Sequence, residues 1–180
     1  MEPSLPAHEI AQRVFGVTGW KNSGKTTLTE KLVALLTARG YRVSTVKHAH
    51  HAFDIDKPGA DSFRHRAAGA REVAIVSGNR WALMHELRGE AEPSLDVILA
   101  RLEPCDLVLI EGYKRESHPK IEVRRLDARD TAPLAASDPH VVAIAADHAV
   151  DDTTLPVFAI DDIDAIADFV VQRAGLLPPA

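Results

Sequence analysis

Eight consecutive residues, Gly19-Trp20-Lys21-Asn22-Ser23-Gly24-Lys25-Thr26, fit the pattern G-x-x-x-x-G-K-[ST] in full. That spacing does anion chemistry. Successive backbone N–H groups of a glycine-rich loop, and of the helical turn that follows it, converge on one bound phosphate. Gly24 lets the backbone approach the phosphates with no Cβ in the way. Lys25 has the reach for β- and γ-phosphates, and the Thr26 hydroxyl can take one place on Mg²⁺. Such a loop also needs an acid for the metal at the C-terminal end of a neighbouring buried strand. Leu107-Val108-Leu109-Ile110-Glu111-Gly112 supplies it: four apolar residues, then a carboxylate, then glycine.

Other chemically suggestive residues fit less closely. Asp56-Lys57-Pro58-Gly59 has D-x-x-G spacing but follows no apolar run, so it reads as a solvated turn. Asp54 and Asp56 are further metal candidates on that loop. His48, His50 and His51 have no cysteine nearby and suit contact with phosphate or with the metal's water shell better than zinc binding. Arg64, Arg66, Arg71 and Arg80 form a loose basic series that reads as solvated charge, with Arg80 kept as a ligand candidate. Cys105, the single cysteine, reads as a buried inert thiol. Trp20 reads as a packing residue or as a shield over a nucleotide. The N-K-x-D sequence that reads guanine in common GTPases is absent: asparagine occurs only at 22 and 79. Asp147, just after Val141–Ala146, is the available substitute, and an ordinary post-strand acid is an equal reading of it. The residues leave ATP and GTP open.

The elements that must position these residues follow from periodicity. Val14–Val17 is a short apolar run leading into the loop, which suits a buried strand. Leu28, Leu32, Leu35 and Leu36 recur at helical spacing from Lys25, and Gly40 stands where a left-handed terminator belongs. Further strands are expected at 42–47, 72–76, 81–85, 107–110, 121–124, 141–145 and 157–160. Short helices are expected at 61–68 and from a Ser94 cap to about Leu102, with a last helix at 162–174. Strands alternating with helices predict an α/β fold with a mostly parallel sheet flanked by helices. The expected division is a flexible lead-in (1–12), one nucleotide-binding domain (13–175) and a tail (176–180).

The chain has 180 residues, 46% apolar and 26% charged, enough for one domain with a full core. With 5% aromatic residues and a net charge of -5, neither a stacking surface for single strands nor a duplex-binding face is expected. Residues 126–180 hold ten acids and two bases (-8), which leaves 19 bases and 16 acids (+3) in residues 1–125, where an anionic ligand belongs. No apolar run suits a membrane span and the N-terminus lacks signal-peptide features, so a cytoplasmic protein is expected.

Taken together, several segments resemble the MobB family of molybdopterin guanine dinucleotide biosynthesis adapters, which are P-loop NTPase-type proteins. These segments are Gly19–Thr27, Val46–His51, Asp54–Ser62, Arg66–Ala70, Ser77–Met84 and Asp106–Lys114, with Ile163–Phe169 near the end. The similarity runs over about residues 13–171. The resemblance implies a cytoplasmic homodimer that binds GTP and Mg²⁺. It implies help to a MobA-type guanylyltransferase acting on molybdopterin, with slow GTP hydrolysis at most; that no nucleic acid or membrane is a partner is expected from the composition alone. Carried over, it assigns the phosphates to Gly19, Asn22, Ser23, Gly24, Lys25, Thr26 and Thr27, and Mg²⁺ to Thr26 and Glu111. His50, Ser77 and Arg80 fall in or near the nucleotide site, with Asp61 in support. Ala60 stands where the family often has lysine. The only glutamines, Gln12 and Gln172, lie far from the motifs in sequence, which agrees with slow hydrolysis. Two rival readings use the same loop: a small-molecule kinase closing Arg64, Arg66 and Arg71 over its phosphate, and a metal-insertion chaperone carrying its ion on the histidines.

Overall fold

A computed structural model describes residues 13–49 and 53–179; His50, His51 and the 1–12 lead-in lie outside the described residues. Two compact units form, one from the described residues up to His48 and from Leu99 onward, the other from those between. The larger unit is built on six strands: β1 (Val14–Thr18), β2 (Val43–Lys47), β5 (Leu107–Glu111), β6 (Lys120–Arg124), β7 (Val141–Ala146) and β8 (Val157–Ala159). They pair in the order β2-β5-β1-β6-β7-β8, and every pairing is parallel.

Parallel strands are buried on both faces, and β5 is buried along its whole length. Helices α1 (Lys25–Ala38) and α4 (Ile163–Arg173) share one core with the sheet: Leu28, Leu32, Leu36, Ile166 and Val170 pack with Phe15, Val17, Leu109 and Ile121. α1 ends at Gly40, which takes φ 93 as its sequence position predicts. α4 is capped by Asp162, which accepts a hydrogen bond from the Ala165 amide.

The opposite face of the sheet departs from expectation. Lys120, Glu122 and Arg124 alternate with Ile121 and Val123, a pattern that reads as one wet and one dry face. Lys120 and Glu122 are nevertheless buried. Lys120 Nζ donates to the carbonyls of Lys114 (3.1 Å) and Glu116 (2.6 Å) and pairs with Asp138 at 3.0 Å. Glu122 accepts from the amides of Leu134 (2.8 Å) and Ala135 (3.0 Å) and from Arg124 Nη2 (3.0 Å). The segments after β5 and after β6 therefore lie across this face, fastened to it by buried charge. His118 is caught beneath them with both ring nitrogens buried and unpartnered. Burial, and then the Lys120 charge, push its pKa down to about 4.

The smaller unit holds α2 (Asp61–Ala67) and an antiparallel pair, β3 (Glu72–Val76) and β4 (Trp81–His85). A helix α3 spans Leu95–Leu99, shorter than the expected run from a Ser94 cap to about Leu102; a turn closed by the Leu102 amide on the Leu99 carbonyl replaces its last part. On the ribbon, Val73 and Met84 face inward and are buried, whereas Val76 and Trp81, paired on the other face, are 76% and 65% exposed. Arg66 corrects two readings. It is no solvated helix charge, since its guanidinium gathers Asp54 (2.8 Å), Glu86 (2.7 Å) and Asp56. Asp56 is no solvated turn acid, because this pairing leaves its side chain 5% exposed. The hydrogen bond from Arg66 holds its carboxyl below the usual range.

Candidate phosphate-binding site

The loop between β1 and α1 carries the site. Its backbone takes left-handed values at Asn22 (φ 67) and Gly24 (φ 93), a turn that aims successive amides inward. No side chain caps α1 and no acid sits in its own first turn, so the helix's own residues leave its first amides open. The Ser23 hydroxyl is buried here with no partner. A Cβ on Gly19 would meet Ser23 Oγ at 2.5 Å and the Val123 carbonyl at 2.7 Å, so the loop closes only around glycine.

Charge gathers at one end of this cradle. Thr26 Oγ1 donates to Glu111 Oε1 at 2.8 Å, which brings the helix and the end of β5 together as the motif requires. Lys47, at the end of β2, pairs with the same carboxylate oxygen at 3.2 Å. Lys25 Nζ donates to the Trp20 carbonyl at 2.6 Å. Burial first, then the charges of Lys114 and Lys47, lower the Lys25 pKa against the pull of Glu111. The Lys114 ammonium lies 3.8 Å from the centre of the Trp20 ring, a cation–π contact. After β5 the chain turns through Gly112 (φ 96) and Tyr113 (φ 45), and the Tyr113 ring packs on His48, 4.6 Å between centroids. Left-handed backbone at a tyrosine is strained, and such strain persists where the surroundings hold it. A cavity of about 470 Å³ beside Thr26 and Glu111 runs between α1 and β2, past Thr29, Val33 and Thr45.

A hydroxyl and a buried carboxylate side by side are hard oxygen donors, the set that suits Mg²⁺ over softer metals. Among the described residues no group of three or more His, Cys, Asp or Glu side chains could hold a metal alone.

Asp147 stands at the end of β7 with both oxygens engaged: Oδ1 accepts from the Leu126 amide (3.1 Å) and meets His148 Nδ1 (2.8 Å), while Oδ2 meets Arg125 Nε (3.4 Å). Ser77 closes the β3–β4 turn, its hydroxyl donating to the Arg80 carbonyl and accepting from the Arg80 amide. Trp20 is fastened by its indole N–H to the Ala132 carbonyl at 2.7 Å. Cys105 is half-buried, with Sγ 3.4 Å from the Leu107 carbonyl. Arg66 and Arg71 are committed to carboxylates of their own unit, Arg71 to Glu90. Sequence reasoning missed Arg125, which lies over Gly24. The doubled basic residue at the end of β6 was the available sign.

Known proteins carry the same pattern. The sequence family described as molybdopterin guanine dinucleotide synthesis protein B matches residues 14–147. The molybdopterin-guanine dinucleotide biosynthesis adapter protein of Escherichia coli is 41% identical over 161 residues, covering 88% of this chain and 91% of that one. Its Haemophilus influenzae namesake is 42% identical over 160 residues, covering 87% and 86%. In three dimensions, a MobB homolog from Bacillus stearothermophilus superposes with a TM-score of 0.67 at 32% identity, covering 91% of this chain and 99% of that one. Bacillus subtilis MobB gives 0.72 at 26% identity, covering 89% and 97%. A family match over most of the chain, set on a fold and a loop of the expected kind, makes this chain a member of the MobB family.

Proposed function

We propose that the chain is a Mg²⁺-dependent GTP-binding adapter that assists a MobA-type guanylyltransferase in forming molybdopterin guanine dinucleotide. The observation that carries this is the meeting of Thr26, Glu111 and Lys47 at one end of the glycine-rich loop. In this reading residues 13–175 form the nucleotide-binding domain. Amides of Gly19, Asn22, Ser23, Gly24, Thr26 and Thr27 bind the phosphates, and Lys25 leaves the Trp20 carbonyl for the β- and γ-phosphates. Thr26 and Glu111 would hold Mg²⁺, which when bound neutralises charge on the phosphate oxygens. Ser77 and Asp61 are assigned on the resemblance alone, His50 and Arg80 on residue type together with the resemblance, and Asp54 and Asp56 on their carboxylates in the loop before α2. Slow hydrolysis is part of this reading, since neither glutamine of the sequence, Gln12 or Gln172, lies within the motifs to orient water.

The kinase reading loses ground because Arg66 and Arg71 are spent on ion pairs. The exposed apolar face of the β3–β4 ribbon, which among the described residues pairs with no third strand, supports a homodimer joined through that ribbon. Among the described residues no helix is long and apolar enough to cross a membrane; action in the cytoplasm belongs to the proposed reading. Calorimetric titration of GTP and ATP with Mg²⁺, on wild type and Lys25→Ala, tests the reading. Selective GTP binding that collapses in the variant is expected; equal or tighter ATP binding would overturn the guanine assignment.

A further inference from the structure

The end of the site that meets the terminal phosphate is marked by residues of β2 and β5, Lys47 and Glu111. The loop follows β1, with β5 and β2 on one side of it and β6, β7 and β8 on the other, so on the nucleotide-binding reading a base pointing away from Lys47 and Glu111 would lie on the β6–β8 side. Three residues wait on that side, each just past a strand end: Arg125 after β6, Asp147 after β7 and Ile160 after β8. A Cβ placed on Gly24 would lie 3.3 Å from Arg125 Cδ, 3.8 Å from Arg125 Nη1 and 3.6 Å from Ile160 Cδ1. The Arg125 side chain is thus stretched across the last glycine of the loop, beside an aliphatic neighbour. The segment that carries it is fixed to the loop at two more points, Arg129 N to the Lys21 carbonyl (3.4 Å) and the Trp20 indole to Ala132 (2.7 Å).

The geometry points to Arg125 as a nucleotide contact whose guanidinium plane, with Ile160 beside it, stacks against the base, and to Asp147 as the residue that positions Arg125. A guanidinium is planar, weakly hydrated and stacks on aromatic faces, and every base offers such a face. Asp147 is poorly placed to read a base edge itself, since both of its oxygens are engaged, one of them by Arg125. Stacking of this kind tightens GTP and ATP alike, so the discrimination between them lies elsewhere in the site. The inference rests on the nucleotide-binding reading above.

The test uses the full chain and three probes with Mg²⁺: GTP, ATP and inorganic tripolyphosphate, which has no base. Arg125→Ala is expected to weaken GTP and ATP each by about tenfold and tripolyphosphate by less than about threefold. Arg125→Lys, which keeps the charge and loses the plane, should show most of the same loss. An equal fall for tripolyphosphate would put Arg125 on the phosphates, and unchanged GTP binding would remove it from the site; either overturns the assignment. Asp147→Asn should lower GTP and ATP equally and add nothing in the Arg125→Ala background, the coupling expected of a positioning residue. A selective loss of GTP would instead make Asp147 a base reader. If wild type binds none of the probes, the nucleotide reading itself fails; if it binds them and the variants do not differ from it, only the stacking role fails.

Discussion

Around the phosphate loop, neighbouring side chains divide the work so that each can be removed with a distinct consequence. Thr26 and Glu111 share a hydrogen bond at the head of α1, and in the proposed function they share a metal. Thr26→Ala and Glu111→Gln should each bring GTP binding measured with Mg²⁺ down toward binding measured in a chelator, while Lys25→Ala should weaken both. If either variant kept the full Mg²⁺ dependence of wild type, that residue would have no part in metal binding. These residues were legible in the sequence because their spacing is local: a loop after one strand and an acid ending another. Arg125 was not legible. Its meaning depends on Gly24, about a hundred positions earlier, and on the topology that sets the ends of β6, β7 and β8 side by side.

Strand β6 and the segments laid over it behave as one element. Lys120 is fully buried against two carbonyls and Asp138. Removing one partner of a buried pair leaves the other charge uncompensated, so Lys120→Ala should cost about 3–5 kcal/mol in a denaturant titration. His118 adds a pH dependence of known sign. Its folded pKa, about 4, lies below the ordinary histidine value, so between pH 6.5 and 4 the unfolded chain binds more protons than the folded one. Stability contributed by keeping the ring neutral is intact above pH 6.5 and lost as pH falls through that window, by about 1–2 kcal/mol between pH 7 and 5. His118→Gln should flatten that part of the stability–pH curve. The strand itself was legible and its burial was not: alternating charged and apolar residues ordinarily mark a half-wet strand. Only the loops fastened by Lys120 and Glu122 make both faces dry.

At the scale of the molecule, the class of fold, the parallel sheet and most element boundaries could be read from apolar runs punctuated by glycine, because such sheets bury continuous hydrophobic strands. The division into two compact units could not, since no composition shift or linker marks it. The exposed face carrying Val76 and Trp81 belongs to this scale. Trp81→Glu should convert the proposed dimer to a monomer in sedimentation or light scattering. A dimer that survived the change would have to be joined by another surface.

The six-stranded sheet finishes at β8, three residues long and entered through Pro156. A strand so brief offers an incoming chain too few open amides and carbonyls to template on, and proline at its threshold removes one donor more. The row of parallel strands therefore stops growing on this side, so that a chain whose other sheet strands run five or six residues gains a guard at this edge against stacking edge to edge into fibrils when it is crowded.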